Sequence, residues 1–140
     1  MYRARILLCT LAFAVVVPAE AGDLEDAQQL LESGRTSEAL ERVNRALATN
    51  PKDPQPRFLK GLILVRREQE QEAIDIFMKL TQDYPKFPEP YNNLAVIYAN
   101  RGQYDKARVA LEAGARASPT YAVIHENLGD VYAKLASQSY

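Results

Sequence analysis

Residues along this chain recur at intervals of 34. Ala39, Ala73 and Ala107 form one ladder, and Pro51, Pro85 and Pro119 form a second. The small residues Ala27, Gly61, Ala95 and Gly129 form a third, each twelve positions before its alanine where that alanine exists. Three ladders sharing a period near 34 mark an array of helix–turn–helix units, each burying its apolar face on its neighbours. The unit is clearest over 88–121, PEPYNNLAVIYANRGQYDKARVALEAGARASPTY. Tyr91, Leu94 and Tyr98 share one face of a first helix, and Ala107, Leu111 and Gly114 share one face of a second. Gly102 is free to take the positive φ that closes the first helix. Pro119 ends the second, having no amide proton and restricting Ser118 before it.

These residues resemble the tetratricopeptide repeat (TPR) family, whose pattern is a large residue, leucine–small, tyrosine, alanine, a large residue, alanine and proline. In the third unit those places hold Tyr91, Leu94–Ala95, Tyr98, Ala107, Leu111, Gly114 and Pro119. The resemblance covers about 119 of the 140 residues. It implies an all-α fold, a right-handed α-solenoid of three helix–turn–helix repeats plus a C-terminal capping helix. The family binds other proteins of many kinds, so the resemblance is specific for fold and silent on the partner.

Residues 1–21 stand apart. Arg3 and Arg5 make a positive start, Ile6 to Val17 is apolar except for Cys9 and Thr10, and Ala19-Glu20-Ala21 is a small-x-small cleavage site. This predicts a secretory signal peptide, too short in its apolar run for a span of about 20 residues. The short arginine-led form points to an exported bacterial protein, periplasmic after cleavage. Cleavage would remove Cys9, the only cysteine, leaving no disulfide or thiolate metal site. It would leave 15 basic and 17 acidic residues, a net charge of −2. That is no basic surface for nucleic acid or anionic lipid.

The domain is expected over 22–140, with repeats at about 22–53, 54–87 and 88–121 and a final helix over 122–138. In the first, Asp23 and Asp26 stand where the third has Tyr91 and Leu94, which predicts a solvated terminal helix over Asp23–Glu32. In the second, Phe58, Leu59, Leu62, Ile63 and Val65 predict a helix covered on more than one face. Glu68 stands where the other turns have glycine, so a non-glycine helix end is required. The last helix has His125, Leu128, Gly129 and Tyr132 at first-helix places, with Glu126, Asp130 and Lys134 for a polar outer side. Tyr132 is expected in the core and His125, the only histidine, half-buried in a structural role. A chain continuing into a longer solenoid is the alternative reading of this end.

Function must come from the surface left over. By resemblance to the family, the first helices line a concave groove whose positions here are Phe58, Leu62, Arg66, Asn92, Asn93, Val96, Asn100, Asn127, Asp130 and Lys134. Asparagines can pair with the backbone of an extended peptide, while Phe58, Leu62 and Val96 offer apolar contact. The set of lysines and asparagines that clamps a C-terminal carboxylate in one subclass of the family is incomplete, so no such clamp is expected. No phosphate loop, nucleophile motif or metal-ligand spacing occurs, and no catalytic residue, metal or cofactor is expected. The sequence therefore predicts a non-catalytic scaffold of the cell envelope that binds a partner protein or peptide in its groove. Two alternatives are an accessory domain of a cell-wall (transpeptidase-type) enzyme system and self-assembly into a homo-oligomer through the terminal helix.

Overall fold

The computed structural model describes residues 19–139. Among them are seven helices and no strand: α1 (Ala19–Glu32), α2 (Thr36–Thr49), α3 (Pro54–Arg66), α4 (Glu70–Asp83), α5 (Pro88–Asn100), α6 (Tyr104–Ala117) and α7 (Ala122–Gln138). The expected leader lies outside the described residues up to residue 18. Helix α1 begins at Ala19 and is longer than the expected Asp23–Glu32.

The helix boundaries repeat because their causes repeat. Prolines 54 and 56 open α3 and prolines 88 and 90 open α5, where a missing amide proton costs little. Asp53 adds an N-cap, its carboxylate accepting from the Gln55 amide at 3.0 Å. The second helices end alike: the amides of Asn50, Tyr84 and Ser118 close on carbonyls four residues back, and a proline follows each. The tight turns also match. Gly34, Glu68 and Gly102 all have positive φ, at 79°, 62° and 71°. The next amide in each case, Arg35, Gln69 or Gln103, reaches back five residues to a first-helix carbonyl at 2.8–2.9 Å. Glu68 thus holds a left-handed conformation that two glycines hold elsewhere.

Each helix pair nests through small residues. Ala27, Ala39, Ala73, Ala95 and Ala107 are all buried. At Gly61 the Phe77 ring occupies the space where a side chain would stand, and at Gly114 Tyr91 and Ile124 do so. Packing then runs in three clusters along the stack. Leu62 joins the first, around Val43 and Ile63, to the middle one around Phe77 and Leu80. Tyr98 and Ala110 join the middle one to the last, around Leu111 and Ile124. Among the described residues the buried side chains form no single centre, as a solenoid requires.

The two ends depart from expectation. Asp23 is not simply solvated: its carboxylate takes hydrogen bonds from Arg42 at 3.1 Å and Arg45 at 3.3 Å, tying α1 to α2. At the other end Gly129, Tyr132 and His125 are exposed, because no described helix covers that side of α7. Tyr132 is 46% exposed rather than in the core. Its hydroxyl donates to Glu112 Oε1 at 2.8 Å, and Arg108 Nη1 donates to the same oxygen at 3.1 Å. His125 packs no core either, and its Nε2 lies 2.7 Å from the Pro119 carbonyl oxygen.

The link from α6 to α7 should respond to pH, with a definite sign. The Tyr132 hydroxyl, then Arg108, holds the Glu112 carboxyl below its ordinary value. Lys79 and Arg57 act likewise on Asp83, and Arg42 and Arg45 on Asp23. A depressed folded-state pKa contributes stability present above the unfolded value and lost as pH falls through the folded value. Stability should therefore hold near neutrality and decline once pH drops below about 4. Thermal melts from pH 7 to pH 3 will check this. Tyr132→Phe should lessen the acid-linked part of the decline; an unchanged profile would remove Tyr132 from the account.

Candidate functional site

Among the first helices α1 touches α3 and α5 touches α7, with α2, α4 and α6 each packed between successive first helices. Two clefts open between first helices. The cleft between α1 and α3 has a volume of about 360 Å³ and the one between α5 and α7 about 180 Å³.

The structure divides the ten expected groove residues between these clefts. Phe58, Leu62 and Arg66 line the first, at one-turn spacing along α3. Phe58 is half-buried and also serves the core, its ring centroid 5.7 Å from that of Phe77 and 5.3 Å from that of Phe87. Val96, Asn100, Asn127 and Asp130 line the second cleft, with Val96 42% exposed on its wall. Asn92, Asn93 and Lys134 line neither. The Asn93 amide is turned onto its own helix, donating to the Glu89 carbonyl oxygen at 2.9 Å. Asn127 Nδ2 donates to Asn92 Oδ1 at 2.6 Å, pinning α7 to α5. Two of the asparagines expected to meet a peptide thus spend part of their hydrogen-bonding capacity on each other.

The wall of the first cleft on α1 was missed by sequence reasoning. Leu24, Gln28, Leu31 and Glu32 face Phe58 and Leu62 across it. The signal was present: Leu24, Gln28 and Glu32 stand one full repeat before Phe58, Leu62 and Arg66. Asp23 and Asp26 lie on the side of that helix that meets Arg42 of α2.

The chemistry of the two clefts differs. The first has an apolar floor of leucines and Phe58 with Glu32 and Arg66 at its rim. The second is small, with amide and carboxylate groups around Val96. Among the described residues no group of three or more histidine, cysteine, aspartate or glutamate side chains could hold a metal ion. No described helix is long and apolar enough to cross a membrane. The arrangement suits contact with a polypeptide, through apolar side chains at one end and amide hydrogen bonds at the other.

A family model described as the N-terminal TPR repeats region of Psidin matches residues 25–139. Among curated proteins, Tetratricopeptide repeat protein 16 of Mus musculus is 28% identical over 129 residues, covering 84% of this chain and 17% of its own. The Homo sapiens counterpart is 26% identical, covering 83% of this chain and 15% of its own. The chain therefore spans about a sixth of the length of these relatives. Among solved structures, TTC0263, a thermophilic TPR protein of Thermus thermophilus, superposes with a TM-score of 0.73 at 26% identity. That match covers 86% of this chain and 68% of the other. The Sgt2 TPR domain of Aspergillus fumigatus gives a TM-score of 0.78 at 17% identity, covering 88% and 83%, a likeness of fold alone.

Proposed function

The chain belongs to the tetratricopeptide repeat family, and on that basis we propose that it is an exported scaffold holding a segment of a partner protein along its first-helix row. Repeat domains of this kind mediate protein–protein interaction and are in general non-catalytic. The observation that carries the finer reading is the cleft between α5 and α7. It keeps an aliphatic side chain, Val96, open among Asn100, Asn127 and Asp130. An exposed apolar residue ringed by hydrogen-bonding groups is what a side chain and its flanking backbone would occupy together. Export is supported by Arg3, Arg5, the apolar run Ile6–Val17 and Ala19-Glu20-Ala21. The same features support the bacterial periplasm as the location.

Photo-crosslinking residues at Val96 and Leu62 in the native cell envelope will test the groove. Both positions should give the same partner adduct, and Val96→Asp in a Leu62-labelled chain should reduce it at least tenfold. Adducts from neither position would end the groove assignment. Export with cleavage of the leader is tested separately, by sequencing the N-terminus of the native protein: a chain starting at Gly22 supports it, and one starting at Met1 rejects cleavage. Self-assembly through α7 has one observation in its favour, the uncovered side at Gly129 and Tyr132. Light scattering across a concentration series separates it from the monomeric scaffold. The accessory role in a cell-wall enzyme system has no comparable observation.

A further inference from the structure

We infer that the opposite, outer side of the stack carries a second docking groove, for one amphipathic helix of a partner protein with an acidic residue beside its apolar face. The groove lies between α4 and α6 over the back of α5 and has a volume of about 420 Å³. Met78 and Val109 form its lips, Tyr91 and Leu94 its floor, and Ala110 and Ala113 one wall. Met78 is 44% and Val109 56% exposed, two of the most exposed large apolar side chains of the described residues.

The repeat period supplies an internal control. The positions equivalent to Met78, Tyr91, Leu94, Val109 and Ala113 in the preceding cleft, between α2 and α4, are Asn44, Arg57, Lys60, Asp75 and Lys79. There polar chains of α3 reach to either side, Arg57 to Asp83 of α4 at 2.9 Å and Lys60 to Asn44 of α2 at 3.0 Å, while Lys79 pairs with Asp83 along α4 at 2.9 Å. The fold therefore does not require an apolar opening at this place. One cleft is lined by paired polar and charged chains, and its sibling is apolar and open, with alanine where the other has lysine.

Shape and charge choose the occupant. Asp105 to Ala113 runs about 12 Å along α6, which is two helical turns at 1.5 Å per residue. A stable dimer buries about 800 Å² on each partner, far more than a two-turn groove offers, which weighs against a second copy. At one end Lys106 Nζ stands 5.7 Å from the centroid of the Tyr98 ring and pairs with no carboxylate among the described residues. Its neighbour Asp105 is turned to Arg108 at 3.7 Å. The groove thus presents an apolar floor and, at one end, a cation, Lys106, that no carboxylate of the described residues pairs, beside Asp105, which lines the same end. It fits two apolar side chains one turn apart, followed by a carboxylate.

The test uses a fluorescent, stapled 14-residue helix with two leucines four apart and a glutamate one turn further on, titrated by anisotropy against the full chain. Saturable binding is expected. Val109→Asp and Met78→Asn, which install the residues of the earlier cleft at exposed positions, should each weaken it about tenfold, the loss typical of a contact hot spot. Circular dichroism and the thermal midpoint should not change. Lys106→Glu should weaken binding and a lysine in place of the peptide's glutamate should restore it. The inference is overturned by absence of saturation or by indifference to Val109→Asp. It is also overturned by sensitivity to Val96→Asp, which assigns the peptide to the first-helix row. Val109-dependent self-association without peptide would overturn it too, assigning the groove to a second copy.

Discussion

Phe77→Ala is expected to cost about 3–5 kcal/mol of folding stability, the upper range for truncating a buried side chain. The ring is fully buried in the middle cluster, lies tilted against Phe58, and occupies the space that the absent Gly61 side chain leaves. Alanine would leave a void that cannot close, because Leu64, Leu80 and Leu94 around it are held by three different helices. A domain of this size is stable by only about 5–15 kcal/mol. The loss also falls on the repeat that couples the other two, so the array should lose cooperativity as well as stability. Urea unfolding followed by circular dichroism will measure both. A single, still cooperative transition displaced by less than half the expected loss would show that the middle cluster is not the mechanical link between the ends.

The second large effect is a reversal of sign among three glycines. Glycine to alanine inside a helix ordinarily gains up to about 1 kcal/mol. Gly129→Ala should follow that rule, since nothing lies within 4 Å of the place its new methyl would take. Gly61→Ala and Gly114→Ala should instead cost on the order of 1–3 kcal/mol from overpacking. At Gly61 the methyl would lie 2.7 Å from Phe77 Cζ. At Gly114 it would lie 2.8 Å from Tyr91 Cβ and 2.5 Å from Ile124 Cδ1, and a Cβ cannot yield without moving its helix. Chemical denaturation of the three variants will check the pattern. A stabilised Gly114→Ala would mean that α5, α6 and α7 meet less closely than these distances require.

Much of the fold was legible because its causes are local and repeat. Proline positions, turn glycines and buried alanines recur once per unit, and each acts on backbone within its own turn. Exposure at the chain's end was not legible. His125, Gly129 and Tyr132 match core positions of a first helix, yet a core position is buried only if a second helix lies on it, and none does among the described residues. The same reason separates Gly129 from Gly61. The groove was half legible: the family resemblance implied Phe58, Leu62 and Val96 on the inner row, but not the hydrogen bond that turns Asn127 toward Asn92.

The order of residues is enough to establish that this chain is a stack of paired helices, where each pair starts and stops, and which small residues lie at the crossings. Those properties depend on dihedral restrictions and spacing within one repeat, which periodicity reports directly. Which clefts stay open is settled in three dimensions. Over the back of α3 the polar chains of Arg57 and Lys60 reach Asp83 of α4 and Asn44 of α2, whereas over the back of α5 the space between Met78 and Val109 is left apolar. That outcome depends on side chains from successive repeats reaching one another across the stack, and spacing alone does not show that reach.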